Sequence, residues 1–598
     1  MLEVAPPGVT AGRLAARPPR RPAGRSAART VGWLACGAAL FVVATALCYA
    51  ASRHFALMNS DNATLVLEGQ SMSNGGLVLH GWALALDSFW SSEVPLYALA
   101  IELGIRTSEL LYLIPACIAA LVVLLGMWLA RGGTHRASSL TGPVVVFALL
   151  ALPSPALSFF FLQGSWHVGT ALACLAAFAL LGTSLRLRVP LAALALALGL
   201  LGDLQTLLLG VLPALGVGLF AALRARRLRA GAPFVAAALA AAALALALRA
   251  VARALGAFRI VNPNPTASFH EVLANLARLP RREAGLLGIV AMPLHVATGG
   301  SIALRLLHLL GAVLVVGGFL AAIAGLLRAL VAPRREVRTA RPALRALDAM
   351  LATDTVDDLL LLGLLGDVVA FVILSGTGNA NYGRYLTASV LFGAVLAGRA
   401  SSRALEAGLP SVSTPRFAGA LTALLLLFGA GFWSGFSLPA TPNVIAPLQA
   451  FLVAHHLRSG VGDYWSSSIV TVESDGAVRV RPVIEDPAGR LVRYGRQTTS
   501  AWYAGQRFDF VVFDALHPWR GVGAASTEAS FGQPSRIYAV GTYRVLVFSH
   551  SFSVGTLGYT RGTPRTASAR SPVPSIVSSG VGAEHRAPAP RTFEWSSA

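Results

Sequence analysis

Between Val31 and Phe436 the chain is a succession of long apolar runs separated by short clusters of arginine. A run of about 20 apolar residues matches the roughly 30 Å hydrocarbon core of a bilayer. Several such runs in one chain, with positive charge held between them, are the pattern of a polytopic membrane protein. Composition agrees: charged residues make up 13% of the 598 and hydrophobic residues 55%, against about a quarter charged in a soluble domain. The net charge is nonetheless +21, from 48 basic and 27 acidic residues, and every basic residue is arginine. A nucleic-acid binder concentrates basic charge on a surface patch or helix face. Here the arginines flank apolar runs, so no nucleic-acid partner is expected and the bilayer is. Heavy Ala, Gly and Arg usage points to a bacterial source. Cys36, Cys48, Cys117 and Cys174 lie in or beside apolar runs, which supports neither a disulfide framework nor a zinc site.

The runs predict about 11 transmembrane helices, near 31–50, 109–130, 142–162, 167–183, 189–201, 205–223, 233–255, 302–330, 358–374, 384–398 and 417–436. Arginine is dense in alternate connections, at Arg131 and Arg136, Arg186 and Arg188, Arg224 to Arg229, and Arg334 to Arg345. The positive-inside rule then gives an N-in/C-out topology in the plasma membrane. The segment 256–300, with Arg259, Arg278, Arg281 and Arg282, is basic on the side where little positive charge is expected. Residues 1–30 read as a basic, disordered cytoplasmic tail; a transit peptide or a twin-arginine signal around Arg20 and Arg21 is the alternative. Residues 31–437 form the transmembrane domain, with 51–108 as its first extracytoplasmic loop. Residues 438–557 change to period-two stretches at 469–473, 477–483, 508–513 and 537–548, with Asp475-Gly476 as a hairpin turn. They predict a small β-rich extracytoplasmic C-terminal domain. Residues 558–598, rich in Ser, Pro, Ala and Arg, read as a disordered tail.

The first outer loop gathers acids in a chain that has few of them: Asp61, Glu68, Asp87, Glu93, Glu102 and Glu109, together with His54, His80, Trp82 and Trp90. Asp61 follows soon after the first helix, close to the membrane surface. A short helix over 62–68 is predicted, with Ser60 or Asp61 as its N-cap, so capping is the structural alternative for Asp61. Asp87 can be a solvated loop acid beside interfacial aromatics. Glu68 and His80 complete the polar lining. Asn381, Tyr382 and Arg384, in Gly378-Asn379-Ala380-Asn381-Tyr382-Gly383-Arg384-Tyr385, form a polar turn before a late helix. The planar fork of Arg384 suits a phosphate, and an interfacial anchor explains it equally well. Arg282, with Arg281, is a second phosphate candidate. His167 and Asp203 are polar residues at or near membrane depth, where ionisable groups are functional candidates; water-facing helix ends are the alternative. Asp367 lies deep in a helix, where pairing with Arg249 or Arg253 is conceivable. Asp463, Tyr464 and Trp465 combine a carboxylate with aromatic faces, a sugar-binding chemistry that also serves as packing between domain and membrane. No Walker loop, HExxH, GxSxG or DxD motif occurs, which argues against an ATP-driven pump and against a nucleotide-sugar donor.

A first helix followed by a long outer loop that opens with Ser60-Asp61-Asn62-Ala63 and holds a second acid, Asp87, resembles the GT-C glycosyltransferases. These include the protein O-mannosyltransferases, aminoarabinose transferases and mycobacterial arabinosyltransferases. The plan of about eleven helices with an outer C-terminal domain is also GT-C-like. Asn62 stands where relatives often carry a second acid. The resemblance implies a glycosyltransferase that moves a sugar from a polyprenyl-phosphate donor to an acceptor hydroxyl of a glycan, lipid or protein on the extracytoplasmic face. It implies Asp61 as base, with Asp87 as the second candidate, and Arg384 or Arg282 on the donor phosphate. Glu68, His80, His167, Asp203, Asn381 and Tyr382 would line the substrate, and Asp463, Tyr464 and Trp465 would face the acceptor. No cofactor is assigned; a divalent metal on Asp61 and Asp87 stays open. Two other readings stand beside it. One is a lipid or amphiphile transporter or flippase, suggested by the break at Gly202-Asp203 and by Asp367. The other is a noncatalytic scaffold of the same fold, suggested by Asn62.

Overall fold

A computed structural model describes residues 23–131, 140–261, 266–290, 302–331, 342–408 and 414–555. Six helices among them are long and apolar enough to cross a bilayer: Leu34–Phe55, Thr107–Ala130, Leu207–Ala225, Leu228–Ala254, Ile302–Val331 and Ala418–Gly435. A seventh is the pair Thr141–Leu150 and Pro155–Phe161, bent by 86°. The bend falls where the chain must restart: Pro155 disfavours a helical Ser154, and the Ser154 hydroxyl caps the new helix by accepting from Leu157 N at 3.1 Å.

The other expected spans fall on Val168–Leu181, Arg188–Gly202, Thr355–Ile373 and Thr387–Gly408. These are shorter, or they carry charge that must be matched inside the bundle. Asp357, fully buried, accepts from Arg399 Nε and Arg403 Nη1, each at 2.7 Å. Asp367, also fully buried, accepts from Gln205 Nε2 at 2.6 Å and Ser389 N at 2.7 Å. The pairing of Asp367 with Arg249 or Arg253 is therefore replaced by an amide and a backbone donor. Helices Leu212–Ala225 and Leu228–Ala254 cross at Gly218 and Gly231, where a Cβ on Gly231 would lie 1.9 Å from the Gly218 carbonyl oxygen. Small residues let the two backbones meet. The basic leader lies largely outside the described residues, although the first helix already begins at Ala23; the tail beyond Gly555 lies outside them altogether.

The C-terminal region builds a six-stranded mixed sheet in the order Leu491–Arg493, Arg479–Glu485, Ser459–Gly462, Phe508–Asp514, Tyr543–Phe552, Arg536–Val540. Ser459–Gly462 is parallel to both of its neighbours; the other pairs are antiparallel. A parallel neighbour requires a crossover, and helix Tyr464–Glu473 supplies it. The strand expected at 469–473 is thus a helix. Asp475-Gly476, both at positive φ (48° and 78°), turns that helix into a strand rather than closing a hairpin. The misreading has a physical cause: Ile469, Val470 and Val472 are all buried between sheet and bundle, so β-branched residues mark a buried helix face here.

A second sheet fixes the functional end. Trp82–Leu84 of the first long loop runs parallel to Arg259–Ile260 and antiparallel to Thr498–Thr499. Three chain segments far apart in sequence are thereby tied together. Helix Ser60–Ser73 packs beneath the crossover helix, with Ser60 Oγ accepting from Ile469 N at 3.4 Å.

Candidate active site

Asp61 is positioned by a capping box one step upstream of the expected one. Asn59, not Ser60 or Asp61, caps helix Ser60–Ser73: its side chain accepts from Asp61 N at 2.9 Å and Asn62 N at 3.2 Å, and Asn62 Oδ1 accepts from Asn59 N at 3.0 Å. The Asp61 carboxylate is left for other work. Asn62 also donates through Nδ2 to Gly164 O at 2.7 Å. The Asn62 amide thus braces the neighbouring turn.

The Tyr464 hydroxyl donates to Asp61 Oδ1 at 2.5 Å, and the Gln497 amide lies 2.6 Å from the same hydroxyl. The nearer Gln497 atom is Oε1, an acceptor like the carboxylate, so the single phenol proton is contested by Asp61 and Gln497 and can go to one of them at a time. Tyr464 is buried, packed against Trp465, Tyr494 and Trp519 at centroid distances of 4.9–5.7 Å. Burial, and next the Asp61 charge, push its phenol pKa well above the ordinary value, so the proton stays on oxygen.

Asp87 follows strand Trp82–Leu84. Its loop is pinned by Phe89 N donating to Gly202 O at 2.7 Å, with Phe89 at φ 51°. Arg384 comes from the 3-10 turn Ala380–Leu386, which Asn379 caps by accepting from Asn381 N at 2.9 Å. Its guanidinium lies between three rings, with centroids at 5.1 Å (Tyr385), 5.7 Å (Tyr382) and 5.9 Å (Trp166), a cation–π cage. Arg496 and Gln497 follow strand Leu491–Arg493, and Gln497 N donates to Ala83 O at 2.5 Å.

These side chains meet. One cavity of about 420 Å³, counting its open mouth, is lined by Asp61, Glu68, Asp87, Ser165, Arg384, Arg496 and Gln497, with Leu65, Leu84 and Phe89 as apolar walls. Burial raises the Glu68 pKa well above its usual range, which favours the neutral acid there. Burial opposes the charge of Arg384, but Tyr385, Asp61 and Asp87 together hold its pKa above the ordinary arginine value. Arg496 is likewise raised against its burial, chiefly by Asp87. Two carboxylates therefore face two guanidinium groups. Glu68 Oε2, Asp87 Oδ1, Ser165 Oγ, Arg384 Nε and Arg496 Nε are buried without a hydrogen-bond partner. Buried polar atoms are almost always satisfied, so this lining suits a polar, anionic guest.

Other candidates lie elsewhere. His80 is exposed and bonds to Gly256 O at 2.9 Å. Arg282 donates to the carbonyls of Thr377 and Gly378 at 3.4 and 2.9 Å, bracing the turn before Arg384. Asn381 lies outside the cavity lining, and Tyr382 serves as a wall of the Arg384 cage. His167 and Asp203 form a buried pair, Nδ1 to Oδ2 at 2.7 Å, with Thr170 Oγ1 donating to the same oxygen at 2.5 Å. His167 stands beside the cavity wall, its ring 4.7 Å from Tyr385 and 5.6 Å from Phe89. The turn that carries it has Ser165 and His167 at φ 63° and 66°. It is held by Glu93, which accepts from Ser165 N at 3.4 Å and Gly169 N at 3.2 Å. Only glycine fits at 169, where a Cβ would lie 2.7 Å from Glu93 Oε1. Asp463 caps the crossover helix through Ser466 N at 3.1 Å. Asp463 and Trp465 line a second cavity of about 1200 Å³, counting its open mouth, mostly apolar, between the exit of the first helix and the C-terminal sheet. Sequence reasoning missed Ser165, Arg496 and Gln497. An arginine in a polar loop of an expected outer domain was the one available signal, for Arg496. No group of three or more His, Cys, Asp or Glu side chains among the described residues is arranged to hold a metal, and the Asp61 and Asp87 charges are met by the two arginines.

The backbone is similar to that of ArnT. The structure of ArnT from Cupriavidus metallidurans bound to undecaprenyl phosphate matches at 12% identity and a TM-score of 0.49, over 86% of this chain and 98% of that one. Its apo structure matches at 13% identity and 0.48, over 87% and 98%. No protein-family model and no curated protein matches the chain.

Proposed function

We propose that the protein is an integral-membrane glycosyltransferase that moves a sugar from a polyprenyl-phosphate donor to an acceptor hydroxyl. The observation that carries this reading is the meeting of Asp61 and Asp87 with Arg384 and Arg496 in one cavity whose buried polar atoms lack partners. The reading includes about eleven spans with the N-terminus inside, a bacterial plasma membrane, and an active face on the extracytoplasmic side. The GT-C resemblance of the first loop points the same way.

The chemistry follows from the groups present. Asp61 takes the proton of the acceptor hydroxyl as its oxygen attacks the anomeric carbon. The bond from that carbon to the phosphate oxygen breaks, and polyprenyl phosphate leaves with the electron pair. A positioned general base contributes roughly 10²–10⁴-fold. Tyr464 holds one carboxylate oxygen and leaves Oδ2 for the acceptor. The forks of Arg384 and Arg496 match phosphate oxygens and balance the charge that grows on the leaving group. Neutral Glu68 can donate to a sugar hydroxyl.

The test is turnover by purified protein in nanodiscs, given a panel of polyprenyl-phosphate sugars and an envelope extract as acceptor. Released polyprenyl phosphate and glycosylated product are followed by mass spectrometry. The reading expects product from wild type and a loss of roughly 10²-fold or more in Asp61→Asn. Lipid translocation without a covalent product would support the flippase reading. Neither activity, with a donor that binds, would support the scaffold.

A further inference from the structure

A group of arginines outside the cavity has no acid to answer it. Arg479 and Arg481 stand two residues apart on strand Arg479–Glu485, so their side chains share one face of the sheet. The neighbouring strand runs antiparallel with Val483 opposite Arg493. That register makes Arg493 a diagonal neighbour of Arg481 on the same face. Arg259 reaches the group from the three-stranded sheet: its charge weakens that of Arg493, as the charge of Arg479 weakens that of Arg481. In both cases burial is the larger effect; it brings Arg481 down to about 10, which leaves Arg481 charged at neutral pH.

None of these four arginines takes part in a salt bridge among the described residues. Arg481 Nη1 and Arg493 Nε are buried with no hydrogen-bond acceptor. The guanidinium carbons lie over aromatic rings, Arg481 at 4.3 Å from the Trp502 centroid and Arg493 at 5.6 Å from that of Tyr503. Both rings are fixed in turn: Trp502 packs edge-on against Trp82 at 5.0 Å, and the Tyr503 hydroxyl donates to Pro482 O at 2.6 Å. Arg259 and Arg479 are exposed and Arg481 and Arg493 half-buried; partly desolvated like charges left unpaired lower stability unless something anionic joins them. Guanidinium forks positioned over aromatic rings are suited to phosphate oxygens. Arg259 also lies just beyond the membrane-spanning helix Leu228–Ala254, which sets the group near the bilayer surface.

We propose that Arg259, Arg479, Arg481 and Arg493 form a second anion site, distinct from the Arg384–Arg496 cavity, that takes a phosphate group at the membrane surface. The phosphate can arrive on a lipid headgroup or in a soluble molecule, and the two sources are separable. This site does not depend on the glycosyltransferase reading.

The test uses the full-length protein in nanodiscs. In the first arm, discs of phosphatidylcholine alone are titrated with inorganic pyrophosphate, and thermal stabilisation is recorded. In the second arm, discs contain phosphatidylglycerol, and lipid retained after extraction is counted by native mass spectrometry. Wild type is expected to bind in at least one arm. In an Arg384→Gln/Arg496→Gln background, which takes the cavity's own arginines out of the measurement, adding Arg481→Gln and Arg493→Gln should lose about tenfold in affinity or retention in that arm. Binding in the first arm assigns a soluble phosphate, and binding confined to the second assigns a lipid. Binding in neither arm, or binding that the quadruple variant keeps, overturns the proposal. Should the quadruple variant not fold, retention by the Arg384→Gln/Arg496→Gln background decides alone: raising salt from about 0.1 to 1 M must release the lipid, and retention unaffected by salt overturns the site.

Discussion

Tyr464→Phe removes a single oxygen from the proposed site. The ring keeps its contacts with Trp465, Tyr494 and Trp519, so packing is preserved. What disappears is the hydrogen bond to Asp61 Oδ1 at 2.5 Å and the contact with the Gln497 amide at 2.6 Å. A hydrogen bond to a charged group contributes about 1.5–3 kcal/mol. If that energy holds the carboxylate in its reactive orientation, its loss appears in the barrier. At about 1.4 kcal/mol per tenfold, turnover should fall roughly 10- to 150-fold. Donor affinity should change little, because the two arginines are untouched. The assay is single-turnover product formation at saturating donor, with the melting temperature as a control for folding. A variant that turns over at the wild-type rate would falsify the role given to this hydroxyl. A drop confined to KM would place Tyr464 in ground-state binding instead.

Arg384→Lys keeps a charge but loses the fork and the planar stacking within Trp166, Tyr382 and Tyr385; donor affinity measured by calorimetry should weaken roughly tenfold. Asp203→Asn breaks a pair in which both partners are 3% exposed, and a thermal melt should show a loss on the order of 3 kcal/mol. Arg399→Ala leaves Asp357 and Asp354 without that arginine at the opposite end of the bundle. It should destabilise by about 3–5 kcal/mol in a denaturation series while sparing donor affinity. Burial raises Glu93 from 4.5 to about 7 despite the backbone donors of Ser165 and Gly169. The folded state therefore holds a proton that the unfolded state releases. That contribution is full below about pH 4.5 and lost as pH rises through 7, on the order of 3 kcal/mol in all. Melts across this range should show the slope in wild type and not in Glu93→Gln.

The helical plan was legible because apolar length and arginine placement are local signals. Segments such as Thr107–Ala130 and Ile302–Val331 fall within two residues of where hydropathy puts them. The crossover helix Tyr464–Glu473 was not legible, since its almost continuous burial, Ile469 next to Val470 included, comes from packing partners on both sides that only the tertiary fold supplies. Asp61, Asp87 and Arg384 stood out as charges in loops expected to lie outside, and the structure gives them a common cavity. Arg496 and Gln497 join it only through the pairing of Thr498–Thr499 with Trp82–Ala83, a contact across more than 400 residues with no local trace. His167 and Asp203 were visible as misplaced polar groups, but whether they face the cavity or each other depends on the turn that Glu93 holds.

The central claim is that one cavity holds a polyprenyl phosphate between Arg384 and Arg496, with the anomeric position in reach of Asp61. A cryo-EM structure of the protein in nanodiscs with added polyprenyl phosphate tests it most directly. The account predicts phosphate density contacting both guanidinium groups, with the isoprenoid leaving toward the bilayer. Phosphate density elsewhere, with this cavity filled only by water, would contradict it.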